Sequence, residues 1–201
     1  MATYILVHGG DSKGSVWDEV ARLLRTSGNR VYHPTMTSIK ETTLKKNIAE
    51  ISALITSASL EDIILVGHSY GAMVITGVSD QLSDKIAYSV YVDSVVPEDG
   101  KSLFDILAAH GLNYKDYDLT PDQPCIDPLF FDEKKFNLRP KAYIHALQSE
   151  FIAGTRGIYE TMKCEAKAHR WIYFSLDTRH ACMVSQPKEL AVILAGIQIL
   201  L

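Results

Sequence analysis

Short apolar runs and helical apolar spacings alternate along most of this chain. The runs at residues 4–7, 30–33, 62–66, 86–92, 143–147 and 171–174 read as six short strands. Between them, Val16, Val20, Leu23 and Leu24 recur at helical spacing over residues 16–27, before Gly28 and Asn29 end the helix. Leu44, Ile48, Ile51 and Ile55 mark a second helix over 44–55. Further helices are predicted over 70–82, 152–168 and 188–200. Strands alternating with helices of this length imply right-handed βαβ units and a mainly parallel six-stranded sheet flanked by helices, an α/β architecture. The functional crevice of such a sheet lies outside the carboxyl ends of its strands. His8-Gly9-Gly10, Ser69, Asp93, Ser149-Glu150 and His180 all fall at that edge.

Residues 97–140 break the pattern. They are rich in Gly, Pro, Asn and Asp, with short apolar clusters at 103–107 and 129–131. A structureless loop of that length is unusual in a compact domain, so a partly helical cap insertion over the sheet edge is predicted. With 201 residues the chain suits one domain, 1–201, with 97–140 as the insertion.

Composition narrows the function. Hydrophobic residues make up 47% and charged residues 22%, with a net charge of −4 and an isoelectric point near 6.0. That balance argues against a general binder of nucleic acid or anionic membranes. No run of 18 apolar residues suggests a membrane span. The first residues read as a strand, with no basic region or cleavage site of an export signal. Cys125, Cys164 and Cys182 are odd in number and widely spaced, which suggests reduced thiols in a cytoplasmic protein and no zinc site. No metal is expected, and a homodimer is left open.

The chemistry concentrates where two apolar runs meet, from Ile63 to Ile75. Between them stands Gly67-His68-Ser69-Tyr70-Gly71, a Gly-x-Ser-x-Gly strand-to-helix turn that exposes a strained serine. A serine hydroxyl needs a base to become a nucleophile. Among seven histidines, His180 follows the last strand and is the candidate base. His110, His145 and His169 lack such a place, His33 precedes a proline, and His68 should point sideways into packing. Two backbone N–H groups must meet the developing oxyanion. Tyr70 and Gly10 are the candidates, the second in a Gly9-Gly10 loop that lets the backbone approach a substrate. The acid that orients the base should stand at a strand end between Ser69 and His180. Asp93 follows the fourth strand and Glu150 the fifth. Asp177 is too near His180 in the chain and is read as part of the strand itself.

Several segments match one group in order: Ile5 to Gly10, Trp17, Val66 to Ile75, Tyr91 to Gly100 and His180 to Pro187. The chain resembles the bacterial α/β-hydrolase-fold esterases that are similar to plant methylesterases and hydroxynitrile lyases. The resemblance implies hydrolysis of a small carboxylic ester without a cofactor, with Ser69 as nucleophile and His180 as base. Three positions depart from that group. Ser149 stands where the acid is usually an Asp, Arg179 replaces a glycine before the histidine, and the loop after Pro34 and the cap are short. The first departure leaves Asp93, then Glu150, then no acid at all, in that order of preference. The apolar cap residues Leu103, Phe104, Leu107, Phe130 and Phe131 are candidates to roof an acyl pocket. Two other functions stay open. One is a ligand-binding protein on a hydrolase scaffold, with slow or vestigial catalysis. The other is a lyase using the same Ser/His pair, with Arg179 or Lys101 as its basic group.

Overall fold

Strand β3 (Ile63–His68) runs through the middle of the sheet with every residue buried, because helices cover both of its faces. The computed structural model describes residues 1–117, 119–151, 155, 157, 160 and 171–198. The six strands follow the order β2-β1-β3-β4-β5-β6, and every pair is parallel. The others are β1 (Thr3–Val7), β2 (Arg30–Tyr32), β4 (Ile86–Val92), β5 (Lys141–Ala146) and β6 (Trp171–Leu176).

The pleat divides the core in two. Ile5, Val7, Ile63, Leu65, Tyr91 and Tyr143 face one side, and Tyr4, Leu6, Ile64, Val66, Val90 and Ile144 the other. On the first side lie α2 (Leu44–Ser57), with Ile48, Ile51 and Ile55, and α3 (Gly71–Gln81). On the second lie α1 (Asp18–Thr26), entered through a 3₁₀ turn at Gly14–Trp17, and the final helix Pro187–Gln198. The expected strands and helices are present within a residue or two at most ends. The predicted helix over 152–168 lies almost wholly outside the described residues, as do the last two residues of the predicted 188–200 helix.

Between β4 and β5 the chain forms α4 (Leu103–Ala109), a 3₁₀ turn at Tyr114–Tyr117, α5 (Gln123–Ile126) and α6 (Glu133–Leu138). A capping box starts α4: Ser102 Oγ accepts from the Asp105 N–H, and Asp105 Oδ2 accepts from the Ser102 N–H. Leu103, Phe104, Ile106 and Leu107 of α4 join the first core. After β6 come α7 (Cys182–Ser185) and α8, the closing helix Pro187–Gln198.

Register aligns the strand ends. Val7 pairs with Gly67, His68 with Val92, Val92 with Ile144, and Ala146 with Leu176. The residues that follow β1, β3, β4, β5 and β6 therefore emerge side by side. The chain leaves β1 first for β2 on one side, then returns to β3 on the other. The β1/β3 pair is thus the point where strand order reverses, the crevice position in open α/β sheets.

Candidate active site

Ser69 sits between β3 and α3 with φ +53, in the left-handed region that L-residues rarely adopt. Two glycines make the turn sterically feasible. A Cβ on Gly67 would stand 2.6 Å from the carbonyl oxygen of Gly71, and one on Gly71 would stand 2.9 Å from those of Val7 and His8. The Ser69 N–H bonds the Val92 carbonyl at 3.2 Å, tying the turn to the end of β4. Tyr70 caps α3, so its N–H belongs to the first helical turn, whose donors lack intrahelical partners.

The loop after β1 is held by His8. Its Nδ1 donates to the Gly9 carbonyl at 2.7 Å, and its Nε2 accepts from the Met36 N–H at 3.0 Å. These two bonds require the neutral imidazole, and burial lowers its pKa accordingly. Gly9 passes so close to the elbow that a Cβ there would meet Ser69 Cβ at 3.0 Å and His68 Nδ1 at 3.1 Å.

Asp93 follows β4 with φ +40 and is fully buried. Its Oδ2 lies 2.6 Å from His180 Nδ1, and its Oδ1 accepts from the Ala146 N–H at 3.2 Å. Ser149 Oγ donates to the same Oδ2, also at 2.6 Å. Every oxygen of this buried carboxylate is therefore partnered, as a buried charge requires. Glu150 is exposed and does not meet the imidazole. It accepts from the His180 backbone N–H at 3.1 Å and pairs with Arg179 at 2.7 Å. Asp177 lies beyond the end of β6 rather than on it; its Oδ1 accepts from Gln148 Nε2 at 2.8 Å.

The His180 ring is held between two others. Phe151 meets it edge-on at 4.7 Å, and His68 packs against it at 4.4 Å. His68 does point sideways into packing, and it also donates from Nε2 to the His180 carbonyl at 3.0 Å. Burial first, then the neighbouring His180, hold the His68 pKa well below its usual 6.5, so the ring stays neutral.

Ser69, Tyr70, Gly10, Asp93 and His180 all line one cavity of about 230 Å³. Its remaining wall is mostly apolar, including Ile39, Val95, Leu103, Phe104, Leu107 and Phe151. Two of the expected roof residues are elsewhere. Phe130 is 72% exposed, and Phe131 is buried against Phe136 at 5.2 Å, its N–H donating to Asp99 Oδ1 at 2.9 Å. A second cavity of about 260 Å³ lies beyond Ile39 and Tyr70, walled by His8, Met36 and the hydroxyl-bearing residues Ser12, Thr35, Thr37 and Ser38. Among the described residues, no group of His, Cys, Asp and Glu is placed to hold a metal ion. No helix among them is long and apolar enough to cross a membrane.

The partnership of Ser149 with Asp93 is the feature that sequence reasoning missed. Its only signal was a small polar residue where a carboxylate was expected.

This strand order, with a strained serine after β3 and a histidine after β6, is the arrangement of an α/β-hydrolase. Residues 4–171 match the Alpha/beta hydrolase family, and the chain belongs to it. It is 43% identical over 115 residues to the carbendazim hydrolyzing esterase of Nocardioides sp. (strain SG-4G), covering 53% of this chain and 48% of that protein. It is 34% identical over 106 residues to methylesterase 8 of Arabidopsis thaliana, covering 47% and 38%. The chain thus spans about half the length, or less, of these relatives. Among solved structures, an extracellular alpha/beta-hydrolase from a Paenibacillus species superposes with a TM-score of 0.79 at 23% identity, over 98% of both chains. A pyrethroid hydrolase from Sphingobium faniae JZ-2 does so with 0.76 at 19% identity, over 98% of this chain and 96% of that one. These likenesses in structure show the fold.

Proposed function

We propose that this protein is a serine esterase that cleaves small carboxylic esters with an apolar acyl group. Ser69 Oγ attacks the ester carbonyl as His180 takes its proton. Asp93 holds the Nδ1–H side of the ring, presenting Nε2 to the serine and stabilising the imidazolium that forms. The backbone N–H groups of Gly10 and Tyr70 receive the oxyanion. His180 then returns the proton to the departing alcohol, and water releases the acid from the acyl-enzyme. Residues 97–140 act as a cap on a single domain, with Leu103, Phe104 and Leu107 of α4 over the acyl group.

The observation that carries this reading is the 2.6 Å contact between Asp93 Oδ2 and His180 Nδ1 in the wall of the cavity that holds Ser69. A buried carboxylate fully partnered in this way speaks for a working acid and against a vestigial site. The names of the matched relatives, an esterase that hydrolyses carbendazim and a methylesterase, support ester cleavage as the class of reaction. The lyase alternative has less support. Arg179 is 73% exposed and paired with Glu150, and no lysine or arginine is among the described residues lining the cavity. Cys125 and Cys182 are free thiols whose pKa burial pushes up to about 12, which suits an unreactive role in a reducing, cytoplasmic setting.

The test is labelling by a fluorophosphonate probe together with turnover of short p-nitrophenyl esters. Both are expected in the native protein and absent in Ser69→Ala. No labelling, or turnover equal to that of the variant, would overturn the esterase reading.

A further inference from the structure

We infer that Ser149 is a positioning residue of this site, which holds the Asp93 carboxylate in place and tempers the field it exerts on His180. The inference rests on the esterase reading for its kinetic consequence, and on geometry alone for its effect on the histidine. Ser149 is buried, and its hydroxyl donates to Asp93 Oδ2 at 2.6 Å. That oxygen is the one that also meets His180 Nδ1 at 2.6 Å. The Ser149 Oγ in turn accepts from the Phe151 N–H at 3.2 Å, so its own proton is committed to the carboxylate. A chain of donors runs from the Phe151 N–H through the Ser149 hydroxyl to Oδ2, opposite the imidazole.

The surrounding loop is built around this contact. The Ala146 N–H reaches Asp93 Oδ1, and the Ser149 N–H closes a turn on the Ala146 carbonyl at 3.2 Å. Phe151 lays its ring edge-on to His180, and Glu150 accepts from the His180 N–H. The loop after β5 thus supplies no carboxylate to the imidazole. It clamps the carboxylate that arrives from β4. A hydroxyl suits this position because it donates to the carboxylate while accepting from the Phe151 N–H, and it carries no charge of its own. A second carboxylate 2.6 Å from Asp93 would force the pair to share a proton and weaken the field on His180.

The sign of the effect follows from electrostatics. The Ser149 O–H dipole points its positive end at Oδ2 and offsets part of the negative charge felt by the imidazole. Removing it leaves Asp93 more negative towards His180, and the imidazolium gains. His180 then titrates at a higher pH, and the ring loses one of the contacts that fix its partner. Other charged and titratable groups facing this ring are His68, whose ring packs on it, and the Glu150 and Arg179 side chains at its backbone. They stay in place in the variants below.

The experiment compares the native protein with Ser149→Ala and Ser149→Thr, each checked for native circular dichroism and thermal midpoint. The His180 imidazole is titrated by NMR, with Ser69→Ala backgrounds to confirm its assignment, and p-nitrophenyl butyrate turnover is followed over pH. In Ser149→Ala the His180 midpoint rises by about half a pH unit or more, and the acid limb of kcat/KM moves up with it. The kcat at pH 7 falls about tenfold, as expected for one hydrogen bond to a charged group, while KM changes less than twofold. Ser149→Thr, which keeps the hydroxyl, restores both the midpoint and kcat. An unmoved His180 midpoint in Ser149→Ala overturns the inference, and so does a midpoint in Ser149→Thr that shifts as far as in the alanine variant. If the native protein turns over no ester, the esterase reading fails, yet the NMR titration still decides the role of Ser149.

Discussion

Asp93 and His180 meet at 2.6 Å across 87 residues of chain, one from the end of β4 and the other from the loop after β6. Glu150, the nearer of the two acids in sequence, reaches only the backbone of the same histidine. The two carboxylates therefore separate cleanly in a mutational test. Asp93→Asn keeps a residue that tolerates the left-handed backbone found there, at φ +40, and removes the charge. Its kcat on a short p-nitrophenyl ester should fall by roughly 10³–10⁴. Glu150→Gln, which loses an exposed ion pair, should stay within about threefold. Equal, small losses in both variants would remove Asp93 from the mechanism.

His68 predicts how stability responds to acid. Its pKa is depressed in the folded protein, so below 6.5 the unfolded chain binds a proton that the folded chain refuses. Stability is complete above that value and falls as the pH drops below it towards the folded pKa. One such group contributes a slope of about 1.4 kcal/mol per pH unit. His68→Gln keeps an N–H donor for the His180 carbonyl and removes the titration. Urea unfolding at a series of pH values between 6.5 and 5 should show a shallower decline in the variant. Identical slopes would mean that His68 is not the group refusing the proton.

The elbow glycines make a steric prediction. Gly67→Ala would drive its Cβ to 2.6 Å from backbone that has no room to yield. It should cost about 2–3 kcal/mol and lower turnover with it, because relief of the clash displaces Ser69. Gly28→Ala is the control: nothing lies within 4 Å of a Cβ there, and only the positive φ of +81 is strained. It should cost about 1 kcal/mol and leave kcat unchanged. Chemical denaturation and ester turnover on the same preparations distinguish the two.

Ile39 lines both cavities and presses its Cδ1 to 3.1 Å from where a Gly10 Cβ would lie. Asp11 and Tyr70 line both as well, but Asp11 is exposed and Tyr70 is anchored by its hydroxyl on Asn47 Oδ1 at 2.9 Å, so Ile39 is the removable apolar part of the partition. Ile39→Ala should join the two spaces and admit longer acyl chains. Each added methylene that finds apolar wall is worth about 0.8 kcal/mol, so two of them should raise kcat/KM for a longer ester over butyrate by about tenfold relative to the native protein. A chain-length series of p-nitrophenyl esters reads this directly, and an unchanged ratio would show that the spaces stay separate.

Much of the fold was legible because its signals are local. Apolar runs of strand length alternate with residues such as Leu44, Ile48, Ile51 and Ile55 at helical spacing, and each pattern reflects which face an element must bury. The roof was harder to read. Phe104 and Phe130 are both aromatic residues in one Gly- and Pro-rich segment, yet one lines the cavity and the other faces solvent. The chain beside Phe130 is held by the Phe131 N–H on Asp99 and by the bridge from Lys101 to Leu129, and neither contact has a periodic signature.

For the candidate site, the sequence alone pointed to most of the residues that the structure brings together. Gly67-x-Ser69-x-Gly71 is a contiguous steric solution, so the serine, the glycines that allow its φ of +53, and the N–H of Tyr70 are read from five adjacent letters. His180 followed from its place after the last strand. The choice of acid was another matter. Asp93 and Glu150 both follow strands, and chain order could not say which carboxylate faces the imidazole. Only the tertiary structure decided it. Parallel register stacks the ends of β3, β4, β5 and β6 side by side, and β4 delivers Asp93 to Nδ1 of the ring. Ser149 spends its hydroxyl on Asp93, while Glu150, one residue on, turns out to solvent and Arg179. The physical reason is that a hydrogen bond of 2.6 Å depends on the direction of a side chain in three dimensions, which neither residue type nor spacing encodes.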